Sequence, residues 1–191
     1  WSLLMKMMRP QRGNTLLDVG SGSGYFSRRF ADKGLVVTGL DSEPAMVNYA
    51  QTQTGNVNYI NGSAEQLSFA DNSFDYCTSI TSLCFVNEPI NVLAEMWRVS
   101  QHGLVLGLLN RNSLLYRKKS GRGSYTGARW DVWMNVKKWI NALKPCPAET
   151  QHKTVIFFPD GSRLERFAES WLPTTLPWGG FLAVYLRKNR L

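Results

Sequence analysis

An α/β protein built on a doubly wound, largely parallel sheet is the fold class this sequence predicts, and three observations predict it. Apolar runs of strand length alternate with helix-like stretches through residue 109, the pattern of successive βαβ units feeding one sheet. The first run, Thr15 to Val19, leads straight into Gly20-Ser21-Gly22-Ser23-Gly24 and then a helix-like stretch. Glycines there allow a tight turn in which backbone approaches a ligand at the end of a buried strand. At 191 residues and 43% hydrophobic content, the chain fits a single domain, residues 1–191, with a real core.

Element by element, Ser2 to Met8 reads as the tail of a helix, Thr15 to Val19 as the first strand and Tyr25 to Lys33 as the helix after the glycines. Residues 35–41, LVVTGLD, form a second strand ending at Asp41, after which Ser42 is placed to cap a helix with Pro44 in its first turn. Val57 to Ile60 supplies a third strand and Phe74 to Ser79 a fourth. Asn87, Glu88 and Pro89 start a helix whose Leu93, Met96 and Trp97 share an apolar face, and Gly103 is expected to stop it. Leu104 to Leu109 is the fifth strand. From Asn110 to about Gly127 the chain turns polar, basic and glycine-rich, which predicts a long structureless loop. A helix over Arg129 to Leu143 follows, with Trp130, Trp133, Val136, Ile140 and Leu143 on one face. Residues 153–158 are the sixth strand, Gly161 to Trp171 a helix and Phe181 to Arg187 the last strand. No internal repeat is apparent.

The glycine spacing discriminates between ligands. A dinucleotide fingerprint needs glycine at the first, third and sixth positions, and the sixth position counted from Gly20 is Tyr25. The chain has glycine at positions one, three and five, with Asp18 two residues before the first. That arrangement resembles motif I of the class I S-adenosylmethionine-dependent methyltransferases. An unliganded strand-to-helix turn is the alternative for this segment read alone. Residues 57–76, VNYINGSAEQLSFADNSFDY, resemble the small-molecule branch that includes the ubiquinone and menaquinone methylases.

The resemblance implies a seven-stranded, mostly parallel, Rossmann-like sheet whose last strand lies antiparallel between the fifth and sixth. It implies S-adenosylmethionine as cofactor and S-adenosylhomocysteine as product. Gly20, Ser21, Gly22 and Gly24 would pass beneath the methionine part, Asp18 would meet its ammonium directly or through water, and Asp41, followed by Ser42, would accept the ribose hydroxyls. The family carries Asp in the loop after the third strand where this chain has Ser63, so Ala64 keeps a backbone contact to adenine while the amino contact falls to Ser63, Glu65 or water. Thr81 and Ser82 match a position that touches the methionine end, and Phe85 is placed to line the transfer pocket. The alternative for Asp41 is a helix start, and for Phe85 a place in the core.

Methyl transfer from a sulfonium is an in-line displacement governed by alignment, so no catalytic group is assigned. His102 reads as the cap of the preceding helix and His152 as a residue bordering the sixth strand. Asn110, Arg111 and Asn112 at the end of the fifth strand, with Tyr116 and Tyr125 beyond it, are the substrate-side candidates. Tyr116 and Lys119 match the spacing of a dehydrogenase Tyr-x-x-x-Lys pair, but that chemistry needs a different glycine pattern and a helix face under Tyr116. Pro145-Cys146-Pro147 follows the fifth strand, not the fourth where a nucleophilic cysteine of a cytosine methylase stands.

Charge is placed unevenly. Between Arg111 and Lys144 there are nine basic residues and one acidic, Asp131, while the remainder carries 13 of each sign, so the net +8 resides in one segment. Residues 110–144 therefore form a basic lid or insert between the fifth and sixth strands, unless the charge merely solvates a surface. The acceptor expected is a small molecule or lipid-like compound, acidic if this segment guides it. An RNA or protein methyltransferase, and a methyltransferase-like binding module without turnover, are the competing classes. Nucleic acid loses support because the loop after the fourth strand lacks the Asn/Asp-Pro-Pro-aromatic signature. No apolar stretch approaches the ~20 residues of a membrane span. Cys77, Cys84 and Cys146 share no metal-type spacing and read as reduced thiols of a cytoplasmic protein, with no metal expected. The chain opens on Trp1, which predicts that further helices precede it. The sequence carries no signal of oligomeric state.

Overall fold

The computed structural model describes residues 1–157 and 173–189. Seven strands form one sheet: β1 Thr15–Val19, β2 Val36–Asp41, β3 Val57–Asn61, β4 Phe74–Ile80, β5 Ser100–Leu109, β6 Glu149–Val155 and β7 Phe181–Arg187, in the order β3-β2-β1-β4-β5-β7-β6. Neighbours from β3 to β5 pair in parallel, whereas β7 runs antiparallel to both β5 and β6. The chain winds outward from β1 to β3, then returns to the other side of β1 with β4. That reversal leaves a crevice at the carboxyl ends of β1 and β4, where open α/β sheets bind ligands.

Helices α1 Ser2–Met8, α2 Tyr25–Ala31, α3 Pro44–Thr52, α4 Pro89–Val99, α5 Leu114–Lys119 and α6 Trp133–Ala142 surround the sheet. Successive residues of β1 serve opposite faces, as strand alternation requires. Leu16 packs with Leu4 of α1 and Phe30 of α2, and Leu17 packs with Val92, Leu93, Met96 and Trp97 of α4 and Val136 and Ile140 of α6. Among the described residues, no helix is long and apolar enough to cross a membrane.

Several local expectations give way to the tertiary structure. Glu43, not Ser42, stands at the start of α3 without a side-chain cap, because Asp41 Oδ1 accepts the Glu43 N–H at 3.0 Å. Gly103 does not end α4, which stops at Val99; it lies inside β5 at φ +152°, where a side chain would strike the Leu186 carbonyl of β7. The β4–β5 register slips between Phe74 and Tyr76 at the same place. His102 is likewise within β5, its Nε2 3.3 Å from Asp75 Oδ1, and is no helix cap.

The stretch 110–127 is not structureless. Ser113 Oγ accepts the Tyr116 N–H at 3.1 Å and starts α5, so Tyr116 is helical, and a 3-10 turn follows at Gly123–Tyr125. Trp130 precedes α6 and packs with Cys84, Leu109 and Leu115, because Asp131 N–H donates to Leu109 O at 2.9 Å and holds that segment beside the end of β5. The sixth strand is Glu149–Val155, earlier than 153–158, and includes His152, whose ring stacks on Trp133 at 3.9 Å. The helix expected over Gly161 to Trp171 lies outside the described residues.

Candidate functional site

The glycine loop is folded by hydrogen bonds to β2. Gly20 and Ser21 donate their N–H groups to Leu40 O at 2.8 and 3.0 Å, and Gly22 N–H donates to Asp41 Oδ2 at 2.7 Å. Gly20 has φ +72°, and a Cβ on it would fall inside the Ser82 side chain. Ser82 in turn donates to Val19 O at 2.9 Å and lies 2.5 Å from Ser79 Oγ, so the ends of β1 and β4 are locked together. Behind the loop, the Tyr59 ring packs where side chains on Gly24 and Gly39 would stand, and its hydroxyl donates to Gly24 O at 3.3 Å. Arg28 Nη1 donates to Ser23 O at 2.8 Å. Tyr59 and Arg28 are supports that the sequence did not announce, since each acts on a backbone carbonyl, Tyr59 from 35 residues away and Arg28 from the helix that follows the loop.

Above the loop lies a cleft of about 540 Å³, lined by Gly20, Ser21 and Gly22, by Asp41, Ser42 and Met46, by Ala64, and by Ser79 to Leu83 with Phe85. This is a normal volume for a small-molecule site. Asp41 is its one charged lining residue among those described; no lysine, arginine or histidine lines it. Ser21 Oγ is buried with no hydrogen-bond partner among the described residues. Thr81 sits at φ +58°, its N–H donating to Gly107 O at 2.8 Å; this is strained backbone for a β-branched residue.

Asp18 lies beneath the loop rather than in the cleft wall. It is 2% exposed and accepts the Ser27 hydroxyl at 2.5 Å. Burial pushes its pKa up to about 6; the Ser27 hydrogen bond opposes this, and the nearby charge of Asp41 adds to it. Ser63 and Glu65 are not in the lining, and Ser63 Oγ accepts the Glu65 N–H at 3.2 Å. The loop carrying Ala64 is tied down by Arg98, which donates to Leu67 O, Phe69 O and Asp71 and is held by Glu95.

The substrate-side candidates divide. Phe85 stands at the cleft mouth, 55% exposed, on a turn whose carbonyls at Leu83 and Val86 each accept from Arg129 at 2.7 Å. Asn110 is not in the cleft. Its amide donates to Pro177 O and Gly179 O at 2.7 Å each and its Oδ1 accepts the Asn112 N–H, so its polar atoms are occupied by the fold. Tyr116 and Tyr125 pack on Trp130 at 5.4 Å between centroids, and Arg111 lies over Tyr116. None of these four residues lines the cleft.

The residues present fit a cationic cofactor better than a phosphate. Three consecutive loop N–H groups are already bound to Leu40 and Asp41, and among the described residues no cation faces the cleft, so a pyrophosphate would find no counter-charge from them. Two carboxylates, Asp18 and Asp41, and the orphaned Ser21 hydroxyl suit a ligand with an ammonium group and a ribose diol. No group of three metal-ligating side chains is found among the described residues.

The family model described as "Methyltransferase domain" matches residues 17–106. The chain is 43% identical over 91 residues to a demethylmenaquinone methyltransferase of Renibacterium salmoninarum, covering 48% of this chain and 38% of that protein. It is 35% identical over 144 residues to a malonyl-[acyl-carrier protein] O-methyltransferase of Serratia marcescens, covering 74% of this chain and 52% of that protein. The chain thus spans about half the length, or less, of these curated relatives. The fold matches a solved S-adenosylmethionine-dependent methyltransferase of Thermotoga maritima, described as a possible histamine N-methyltransferase, with TM-score 0.73 and 21% identity over 99% of this chain and 93% of that one.

Proposed function

We propose, from the premise that residues 17–106 are a methyltransferase domain of the class I small-molecule branch, that this chain transfers a methyl group from S-adenosylmethionine to a small-molecule or lipid-like acceptor. The observation that carries this reading is the cleft of about 540 Å³, polar at the glycine loop, bounded by Asp41 and lined by no basic side chain among the described residues. When bound, the cofactor supplies an electrophilic methyl on a sulfonium, with its own leaving group. Ser21 and the loop backbone would hold its methionine end, with Asp18 compensating the ammonium from below. Asp41 would accept the ribose hydroxyls with the lone pairs left by Gly22 and Glu43. Ala64 would meet the adenine edge, and Ser63 and Glu65 would reach it only by a shift of their loop.

Thr81, Ser82 and Phe85 then bound the space into which an acceptor must come. Their fixed backbone is what alignment demands, and alignment alone supplies about 7–11 kcal/mol of such a barrier. No residue of the basic segment 110–144 is in the described lining of the cleft; on this reading Arg129 buttresses the Phe85 turn from behind, through the Leu83 and Val86 carbonyls and Asp131. The test is release of S-adenosylhomocysteine from S-adenosylmethionine across a panel of phenols, quinols and carboxylic acids. Turnover with any member supports the proposal. Cofactor binding without turnover by any member points instead to a binding module.

A further inference from the structure

The cleft leaves the excess charge of the chain without a role. Between Arg111 and Lys144 the one acidic residue, Asp131, is 1% exposed and lies 2.9 Å from Arg129, so the segment's own surface presents no carboxylate. Five of its cations, Arg111, Arg117, Lys118, Lys119 and Arg122, fall within a stretch of 12 residues, and all are exposed.

Helix α5 groups them. Ser113 caps that helix, and Leu115 turns inward onto Cys84, Leu109 and Trp130. Leu114, one residue earlier, is 44% exposed, with Arg117 and Lys118 three and four residues on along the same face. The turn after the helix is open, since a Cβ on Gly121 or Gly123 would meet nothing within 4 Å. Position links this face to the cleft. Cys84, on which Leu115 packs, stands between the cleft residues Leu83 and Phe85, so α5 lies beside the cleft mouth at the carboxyl edge of the sheet. Lys144 lies at the opposite edge, in a separate cleft with Arg98 and His102.

We infer that α5 and the turn to Arg122 form a docking surface for an anionic lipid bilayer, with Leu114 entering the acyl boundary and the cations around it meeting headgroup phosphates. An exposed leucine among cations suits such an interface, where the apolar side chain sinks and long basic stems reach back to the headgroups. Nucleic acid is the poorer fit, because sequence-tolerant stacking needs an open aromatic face. Tyr116 and Tyr125 pack on Trp130, and the Arg111 guanidinium lies 5.9 Å over the Tyr116 ring. Docking on this face brings the cleft mouth to the membrane surface. The inference goes beyond the cofactor reading and does not depend on it.

Co-sedimentation of the 191-residue chain with lipid vesicles tests it. Phosphatidylcholine vesicles holding about one-third phosphatidylglycerol should bind the chain, at least about 10-fold more weakly at ~0.5 M than at ~0.05 M salt, and phosphatidylcholine alone should not. Arg117→Glu with Lys119→Glu should weaken binding at least about 25-fold, at about 5-fold per cation removed, and Leu114→Ser several-fold at fixed salt. Lys33→Glu with Lys144→Glu makes the same change in net charge at exposed positions of the opposite edge, and should stay within about 5-fold of the parent. Equal weakening by the two double variants, no binding to the phosphatidylglycerol vesicles, or equal binding to phosphatidylcholine overturns the proposal. So does tighter binding, at matched salt, of single-stranded RNA or poly-glutamate, which would assign the face to nucleic acid or to an acidic protein. Amide exchange of the parent gives a reading free of substitutions: phosphatidylglycerol vesicles should slow residues 113–125 and leave residues 9–14 unchanged, and the reverse, or no slowing, also overturns it.

Discussion

Replacing Asp18 with asparagine should flatten the pH dependence of stability in the chain alone and weaken its hold on the cofactor. In the folded chain Asp18 is fully enclosed and its pKa rises from 3.8 to about 6. At about 1.4 kcal/mol per pH unit, keeping it ionised at pH 7 costs the folded state about 3 kcal/mol. The folded pKa is raised, so the stability contributed by the bound proton is fully present below pH 3.8 and is lost as pH rises through about 6. Urea melts of the parent should therefore lose about 3 kcal/mol from this group between pH 3.8 and pH 7, a loss absent from Asp18→Asn. Comparing the two pH dependences removes any constant effect of the carboxamide, which still accepts the Ser27 hydroxyl. Over the same range, parent affinity for S-adenosylhomocysteine should fall as Asp18 takes up its proton below about 6. The variant should bind about 10- to 100-fold more weakly at pH 7.5 with no such titration, the order expected for removing a nearby buried charge that offsets an ammonium. Identical pH dependence in parent and variant, in stability or in affinity, would refute the reasoning.

Other substitutions separate the roles of loop, supports and rim. Gly20→Ala collides with Ser82 and should abolish S-adenosylhomocysteine binding in calorimetry, whereas Gly22→Ala, with open space around its Cβ but φ +52°, should fold with a loss of about 1–2 kcal/mol in urea melts. Arg98→Ala frees the Leu67 and Phe69 carbonyls and should cost about 2 kcal/mol or more, with faster amide exchange across residues 62–73 as the readout. Arg129→Lys cannot reproduce the forked bonds to Leu83, Val86 and Asp131, so it should loosen the Phe85 turn and raise proteolysis there despite keeping the charge.

The central strands were legible because a buried parallel strand is a local apolar run closed by glycine or a carboxylate, as at Thr15–Val19 and its loop. Phe181–Arg187 was readable for the same reason, being packed between two neighbours. The edge strand Glu149–Val155 was not, since its outward positions are polar and the apolar run beside it, Val155 to Phe158, misled by composition. Gly103 looked like a helix stop because proximity to Leu186 is invisible in sequence. The same limit hid α5, where one Ser113 cap organises a segment whose composition reads as coil. In the candidate site, residues on the loop and at the strand ends were nameable from spacing. Tyr59, Arg28 and Arg129 were not, because their partners lie five to 46 residues away and are backbone carbonyls.

The central claim is that the cleft over residues 20–24 is built for a ligand with an ammonium group and a ribose diol, and not for a phosphate. Isothermal titration of the chain with S-adenosylhomocysteine and, separately, with NADH tests it most directly. Saturable one-to-one binding of S-adenosylhomocysteine, weakened in Asp18→Asn, with no heat from NADH, is the predicted result. Binding of NADH in place of S-adenosylhomocysteine, or of neither, would contradict it.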